Sequence, residues 1–473
     1  MKKIYKIILI LIFILGVALR TYLYLKNRSL WMDESFLGTL VMDLTPIQLL
    51  TAFNHPSIPP QATNPGFLIC VQFITKIFGV NEFTLRIIPF LASIASIFIF
   101  YKFTETFLRT GLSKLFAMFL FAINFQLLFF SQEFKPYCLD VLLTMLVILM
   151  FLNLNLEKTK DYLLKGIVLS CLIWFSHAAI IVTGACGIIL FIKNIGSKTK
   201  QTILFFSPIA ISASLFILSF VFKTFSHPIY QDAWSKGFIF NLNDLIKVIN
   251  NAILWIFTPN TAIFIIISCI LGFVLLIKEK RQNAIYLTLP ILSTLGLAAL
   301  KLYPFDERVI LFLTPIFIIL ATKILDIKPK YTTILILLAF GNYFISYPKV
   351  ILNPYNYSNE EMRPIVVTIK QYMQKDDAIY IPITSASQFF FYNRFYAAKP
   401  INVIVDNDSF NKTDSMTKLN SLKKGKKYWL ISAPNKDWFK ENNIVINNFA
   451  KNRCKIIKKS TFYHSFLYYV EIK

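Results

Sequence analysis

Residues 4–34 read IYKIILILIFILGVALRTYLYLKNRSLWMDE, an apolar run followed closely by two adjacent acids. The run from Ile4 to Leu25 is long enough to cross a bilayer, because about 20 apolar residues suffice. It is too long for the apolar core of a signal peptide, and no small-residue cleavage site follows it. We therefore predict a retained first transmembrane helix.

Membrane anchoring does not explain the acids Asp33 and Glu34. Acidic residues contribute little to topology and are costly near hydrocarbon. The flanking Trp31 and Phe36 place the pair at the depth of the membrane interface. A carboxylate there can take a proton from a hydroxyl or hold a cation, and a neighbouring acid can tune its pKa. We predict a function for the pair, with a solvated turn as the alternative.

The composition indicates a polytopic membrane protein. Of the 473 residues, 56% are hydrophobic, and the mean hydropathy is +0.58. The net charge of +24 lies mostly in short clusters between apolar runs and in the C-terminal region. Cytoplasmic loops and lipid headgroups explain these clusters better than nucleic acid does. No CxxC or Cys/His metal spacing occurs, so the sequence indicates no metal or other cofactor, although a divalent cation is compatible with it.

Twelve apolar runs are candidates for membrane spans by length. They begin near residues 4, 66, 87, 112, 137, 163, 178, 202, 260, 284, 308 and 331. Basic clusters occur at residues 2–6, 102–114, 158–165, 193–200, 278–281 and 323–330. If residues 66–78 form an interfacial or re-entrant helix instead of a span, all six clusters fall on one side. We therefore predict about eleven spans, with the N-terminus cytoplasmic.

The C-terminal region has a different composition. After about residue 347 the chain becomes polar, with short apolar segments at 378–383, 401–405, 428–431 and 466–472 that are typical of strands. A capping-box pattern at Ser358–Glu361 predicts a helix to about Met373. The predicted fold is an all-α membrane bundle at 1–347, with a first outer loop at 26–85, followed by a small extracytoplasmic α/β domain at 348–473. The predicted location is the cell membrane.

Polar residues collect at three places on the predicted outer side. The first is the loop after span one and the mouth of span two, which together carry Arg20, His55, Asn64 and Arg86 besides the acid pair. Snorkelling to the interface is the simplest interpretation of Arg20. For His55, a plain loop histidine and a functional one remain equal alternatives.

The second and third places each contain acidic and basic residues. Ser131–Tyr137 contains Glu133, Lys135 and Tyr137, where a membrane turn needs none of them; a surface ion pair is the alternative. Before the span near residue 308, Arg308 offers a guanidinium that can grip a lipid phosphate with two hydrogen bonds or can simply snorkel.

These motifs, in this order, resemble the GT-C superfamily of membrane glycosyltransferases. The branch that looks most similar contains protein O-mannosyltransferases and lipid A aminoarabinose transferases. The shared pattern is an Asp-Glu pair in the first outer loop, a Leu-Arg pair (Leu85-Arg86) opening a span, a Ser-Gln-Glu-x-Arg-x-Tyr-like loop and a late Tyr-Pro…Arg. The resemblance covers about residues 1–330. The sequence departs from the pattern at Lys135, where the family has arginine, and lacks the usual His-Pro-Pro.

The resemblance implies a polyprenyl- or dolichyl-phosphate sugar as donor and an inverting transfer to an extracytoplasmic protein, lipid or glycan. It makes Asp33 the candidate general base or the carboxylate that orients the acceptor, and Glu34 its neighbour. Residues implied to line the donor phosphate and sugar are Glu133, Lys135, Tyr137 and Arg308. Supporting residues around the acceptor are Arg20, His55, Asn64 and Arg86.

Other functions are compatible with the composition. A transporter or flippase for a lipid-linked sugar predicts ionisable residues at the bilayer midplane and repeated halves. The predicted spans are largely free of midplane charge, and the two halves of the sequence do not mirror each other. An O-antigen-ligase-like enzyme predicts a large outer loop with arginine and histidine. A non-catalytic envelope scaffold is the third alternative.

Overall fold

In a computed structural model of the protein, the residues described are 2–50, 61–194, 196–221, 228–257, 262–327, 360–396, 402–406, 417–433 and 440–473. This part of the chain is mostly helical. The helices are α1 Lys2–Leu25, α2 Met32–Asp43, α3 Pro46–Leu50, α4 Pro65–Phe78, α5 Glu82–Phe107, α6 Gly111–Ile123, α7 Phe125–Phe130, α8 Tyr137–Leu152, α9 Thr159–Leu172, α10 His177–Asn194, α11 Thr199–Phe216, α12 Pro228–Ala233, α13 Leu242–Phe257, α14 Ala262–Ala299, α15 Thr314–Thr322, α16 Arg363–Tyr372, α17 Ile383–Tyr396, α18 Thr417–Asn420 and α19 Lys440–Arg453.

The chain forms two compact units. The first contains residues 1–26 and 44–352, and the second contains residues 27–43 and 353–473. The second unit therefore includes α2, which lies in the predicted first outer loop and carries Asp33 and Glu34.

The first unit contains the apolar helices. Within the described residues, five helical segments are long and apolar enough to cross a membrane: Lys3–Leu25, Glu82–Phe107, His177–Asn194, Thr199–Val221 and Glu307–Asp326. The last consists of α15 between two 3₁₀ turns, Glu307–Leu313 and Lys323–Asp326. Shorter apolar helices are α4, α6 and α8. The predicted count of about eleven spans stays a prediction, and the run near residue 331 lies outside the described residues.

The short helix α4 is apolar on both its buried and its exposed face. Its 14 residues extend only about 21 Å, less than the thickness of the hydrocarbon core. Phe67 and Leu68 are buried on one face, whereas Phe73 and Ile77 are exposed on the other. Both faces are thus apolar, and the interfacial or re-entrant position of α4 stays a prediction.

Helix α14 is interrupted at Lys280, whose φ of −149° and ψ of 87° are not helical. The interruption falls in the basic cluster at 278–281, between the two predicted spans that begin near residues 260 and 284. The first half packs closely on α15, because a Cβ on Gly272 would lie 1.9 Å from the Leu320 carbonyl oxygen. Only glycine fits this crossing.

A buried ion network joins the end of α5, the start of α6 and the chain after α15. The Lys323 ammonium donates to Glu279 at 2.6 Å, to Asp326 at 2.8 Å and to the Phe107 carbonyl at 2.9 Å. Asp326 in turn accepts from the Ser113 hydroxyl at 2.6 Å. Lys323 is 1% exposed, so these partners replace the water that its charge has lost.

Replacing Lys323 by methionine removes this charge and leaves two carboxylates without their shared cation. We expect a destabilisation of about 3–5 kcal/mol, the usual effect of breaking a buried ion pair. Lys198→Met is the matched control, because it breaks the exposed pair with Glu157. Thermal unfolding in detergent measures both. Equal melting temperatures for the two variants would contradict the structural role of the network.

The second unit contains a five-stranded sheet in the order β2-β1-β3-β5-β4. The strands are β1 Ala378–Pro382, β2 Val403–Asp406, β3 Lys427–Ser432, β4 Cys454–Phe462 and β5 Ser465–Ile472. Strands β2, β1 and β3 are parallel, whereas β5 and β4 form an antiparallel hairpin beside β3. The four predicted strands are present, and this small sheet agrees with the predicted α/β region.

The sequence missed two features of this unit. Strand β4 was not predicted, because its sequence CKIIKKSTF has adjacent lysines and mostly exposed side chains, as an edge strand often does. The predicted capping-box helix begins later than expected, at Arg363. The Glu361 carboxylate instead accepts from Ser29, and Ser358 lies outside the described residues.

Candidate active site

The turn between α7 and α8 carries three predicted site residues of the first unit. Glu133 is 1% exposed and Lys135 is 5% exposed, while Tyr137 is partly buried at the start of α8. This burial excludes the alternative of a solvent-exposed ion pair. Charges in a water-poor turn interact more strongly than charges in water, and their desolvation must be compensated.

A break in the preceding helix makes this turn possible. Asn124 ends α6 with extended backbone, and its side-chain oxygen caps α7 by accepting from the Leu127 N–H at 3.1 Å. The same amide donates to the Ile256 carbonyl at 2.9 Å, and Gln126 donates to Trp255 at 3.0 Å. The end of α13 is thereby attached to α7.

Aromatic rings surround the turn. Phe134 lies 5.7 Å from Phe67 of α4, measured between ring centroids. Phe130 contacts Tyr137 edge to face at 5.1 Å and lies 5.9 Å from Trp255 of α13. The turn therefore packs against α4 and α13.

Arg308 lies in the first turn of the 3₁₀ segment after α14, which packs against α8. Its guanidinium carbon is 5.3 Å from the centroid of the Trp234 ring, a cation–π distance. Burial raises the pKa of the neighbouring Asp306 carboxyl, and the charge of Glu307 acts in the same direction, while Arg308 and Lys236 lower this pKa. The sequence did not predict Trp234 as a partner, because about 70 residues separate it from Arg308.

Arg20 does not snorkel, contrary to the expectation from its position in span one. It is 0% exposed. Its guanidinium donates to Ser93 at 2.6 Å, to Ala122 O at 2.9 Å, to Gly16 O at 3.0 Å and to Phe121 O at 3.4 Å. The last turn of α6 leaves carbonyls without helical partners, and Arg20 supplies donors for them. Its described contacts are thus structural.

Replacing Arg20 by methionine keeps much of the side-chain volume but removes every donor. We expect a lower melting temperature, because each buried acceptor left unmatched costs about 1–3 kcal/mol. The Michaelis constant for donor should stay unchanged in the folded fraction. Arg281→Met, at an exposed arginine, is the control. An unchanged melting temperature with an altered donor constant would instead place Arg20 at the substrate.

Asn64 joins the start of α4 to the start of α10. With its amide oxygen facing α10, it accepts from the backbone N–H groups of Ser176 and His177 at 3.2 Å each. The His177 ring is hydrogen-bonded to Ala62 O at 3.0 Å. Ser176 donates to Asp140 at 2.5 Å, a buried carboxylate of α8 that sequence reasoning missed.

Arg86 is 2% exposed in the first part of α5. The nearby Tyr24 hydroxyl donates to the Phe83 carbonyl at 2.7 Å, and the Tyr24 ring stacks on Phe90 with centroids 4.2 Å apart. These contacts hold the first turns of α5 against α1. His55 lies outside the described residues.

In the second unit, Asp33 and Glu34 occupy the first turn of α2. Acids are favoured there because the helix N-terminus carries partial positive charge. Glu34 is 0% exposed and accepts from the Trp31 N–H at 3.3 Å, so it caps the helix. Asp33 is partly exposed. Of the two acids, Asp33 therefore has the more accessible side chain.

An apolar groove of about 610 Å³ runs between α10 and α11. It is lined by residues such as Ile180, Gly184, Phe191, Ile203 and Ala210. None of the candidate site residues lines it. Among the described residues, no group of three His, Cys, Asp or Glu side chains is placed to hold a metal ion.

Solved structures provide the comparison that bears on the fold. ArnT from Cupriavidus metallidurans in the apo state matches with a TM-score of 0.54 and 10% identity, covering 96% of this chain and 97% of that chain. The same protein bound to undecaprenyl phosphate matches with a TM-score of 0.55, at the same identity and coverage. The chain has the ArnT fold. ArnT is a lipid A aminoarabinose transferase of the GT-C family, so the resemblance stated from the sequence is confirmed at the level of fold.

The two sequence comparisons found no match. No protein-family model matches the chain, and no curated protein sequence matches it. The likeness extends over nearly the whole of both chains, beyond the 330 residues for which the motifs indicated a resemblance.

Proposed function

We propose that the protein is a membrane glycosyltransferase that moves a sugar from a polyprenyl-phosphate donor to an extracytoplasmic acceptor, with inversion at the sugar carbon. The observation that carries the proposal is the ArnT fold over 96% of the chain, together with the undecaprenyl phosphate bound to ArnT in one of the matching structures. The lipid tail of such a donor stays in the bilayer, which accords with apolar helices of membrane length.

In the proposed reaction, Asp33 takes the proton of the acceptor hydroxyl or amine. The acceptor atom attacks the sugar carbon on the face opposite the phosphate, the carbon–oxygen bond to the phosphate breaks, and polyprenyl phosphate leaves. A base is needed because the neutral acceptor is a weak nucleophile. The partial exposure of Asp33 supports this assignment, and the capping role of Glu34 favours Glu34 as the neighbour that holds the turn.

The leaving phosphate gains negative charge in the transition state, so fixed cations near it lower the barrier. We assign this role to Lys135 and Arg308, with Glu133 and Tyr137 holding the sugar. The burial of Lys135 and the ring of Trp234 beside Arg308 support the assignment, because both limit the hydration of the cations. A lysine at 135 offers a charge without the planar fork of the family's arginine.

Asp33→Asn keeps the shape of the side chain but removes the base. We expect kcat to fall about 10²- to 10⁴-fold, the usual contribution of general-base catalysis. The assay uses purified protein, polyprenyl-phosphate sugars and a mixture of envelope acceptors. Asp376→Asn, at an exposed acid of the same unit, is the control. Full activity of the Asp33 variant would overturn the catalytic assignment.

Arg308→Ala removes the proposed phosphate ligand. We expect the donor KM to rise about 10- to 100-fold, which corresponds to a lost charge-assisted hydrogen bond. Arg308→Lys should recover part of the loss, because it restores the charge but not the bidentate grip. The measurement is initial rate against donor concentration. A donor KM unchanged in both variants would leave Arg308 as an interfacial anchor only.

A further inference from the structure

We infer that the C-terminal α/β region holds the helix that carries Asp33 in its working position, and that Tyr392 and Glu361 are positioning residues for this carboxylate. The inference rests on the proposed function of Asp33. It assigns to the C-terminal region a part in the reaction that neither the fold nor the comparisons assign.

The chain that leads into α2 is bound residue by residue to the C-terminal region. The Ser29 N–H donates to Glu361 at 3.3 Å, and the Ser29 hydroxyl donates to the other oxygen of the same carboxylate at 2.5 Å. The Leu30 N–H donates to the Tyr392 hydroxyl at 2.7 Å. The next N–H, that of Trp31, donates to the Glu34 carboxylate. Three successive backbone donors are therefore satisfied immediately before the turn of Asp33.

A second set of contacts holds residues 27–29, where the chain leading into α2 begins. Asn27 has a φ of 43°, an unusual conformation for a residue other than glycine. Its carbonyl accepts from the Arg363 guanidinium at 2.7 Å, and the Arg363 N–H donates to the Ser29 hydroxyl at 3.2 Å. The contacts on both sides of this residue stabilise the bend that starts the loop.

The body of α2 packs along α17. A Cβ on Gly38 would lie 2.5 Å from the ring of Phe391, so glycine is needed for the close approach. The Ser35 hydroxyl lies 3.2 Å from the Ser387 hydroxyl. At the end of α2, Arg394 binds both oxygens of Asp43 at 2.6 and 2.9 Å. Contacts thus extend over the full length of the helix.

Helix α17 begins at an edge of the sheet where α/β domains often bind ligands. The helix begins directly after β1, at the carboxyl end of the parallel strands, and β2 and β3 lie on opposite sides of β1. Open α/β sheets bind ligands at this edge, where the strand order changes direction. The start of α2 packs on the first turns of α17, where Ser35 lies beside Ser387, and we assign the substrate met at this edge as the acceptor.

A positioning role predicts a specific kinetic signature. Tyr392→Phe deletes the acceptor of the Leu30 N–H and loosens the turn of Asp33. We expect kcat to fall about 10- to 100-fold, because small misplacements of a catalytic group have effects of this size. The donor KM should stay unchanged. Tyr380→Phe is the matched control, since it also deletes one buried hydroxyl contact of the same unit, that with Asp406 at 2.6 Å, without touching α2.

Changing the side-chain sizes at residues 38 and 391 provides an independent test. Gly38→Ala should displace α2 from Phe391 and lower kcat, and the additional change Phe391→Leu should recover activity by freeing space. Gly296→Ala, where no atom lies within 4 Å of the new methyl group, should have no effect. A melting curve for each variant separates lost folding from lost positioning.

The outcomes separate this inference from the proposed function. The expected 10²- to 10⁴-fold fall of kcat in Asp33→Asn, together with lowered kcat in Tyr392→Phe and Gly38→Ala but not in their controls, supports both. If Asp33→Asn is inactive while Tyr392→Phe behaves like Tyr380→Phe, the inference is wrong and the proposed function stands. If Asp33→Asn is fully active, the proposed function fails. A Ser35→Cys/Ser387→Cys cross-link that abolishes turnover reversibly would also overturn the inference, because it would show that α2 must leave α17.

Discussion

The buried guanidinium of Arg20 is the interaction on which the arrangement of the first unit depends. It connects α1, α5 and the end of α6 through one hydroxyl and three carbonyl oxygens. A helix that ends inside an apolar bundle leaves carbonyls that neither water nor lipid can satisfy. With donors from Arg20, α6 can stop at Asn124 and the chain can change direction. After the short helix α7, the next turn places Glu133 and Lys135 in the bundle.

The burial of Glu133 and Lys135 in this turn affects how strongly they can interact with a ligand. Their interactions with a ligand are stronger than in water, because little solvent screens or competes with them. Their positions are also fixed before a ligand arrives, by the capping of α7 and by the rings of Phe134 and Phe130. Preorganised charge of this kind is what a reaction with an anionic leaving group requires. The same burial makes the turn dependent on the helices around it.

The sequence predicted features that depend on local pattern. The apolar runs and their order, the short helix α4 and four of the five strands follow from periodicity and composition, which neighbouring residues carry. Strand β4 was missed because its lysines give an edge strand a polar appearance. Arg20 was misjudged because snorkelling depends only on the helix end, whereas its partners Ser93 and Ala122 are 73 and 102 residues away. For the candidate site, the roles of the predicted residues stay predictions, and the contacts of Trp234 with Arg308 and of Asp140 with Ser176 were not predicted.

The sequence did not predict that α2 belongs to the second unit, and this failure has a physical cause. Residues 27–43 follow α1 directly, yet their hydrogen-bond partners lie 332 to 362 residues later. No local pattern can reveal such partners, since each pair requires the closure of a loop that contains most of the chain. These contacts form only after the C-terminal residues have been synthesised. The helix that carries Asp33 therefore reaches its final packing late in folding, after the apolar helices between these two segments have been made.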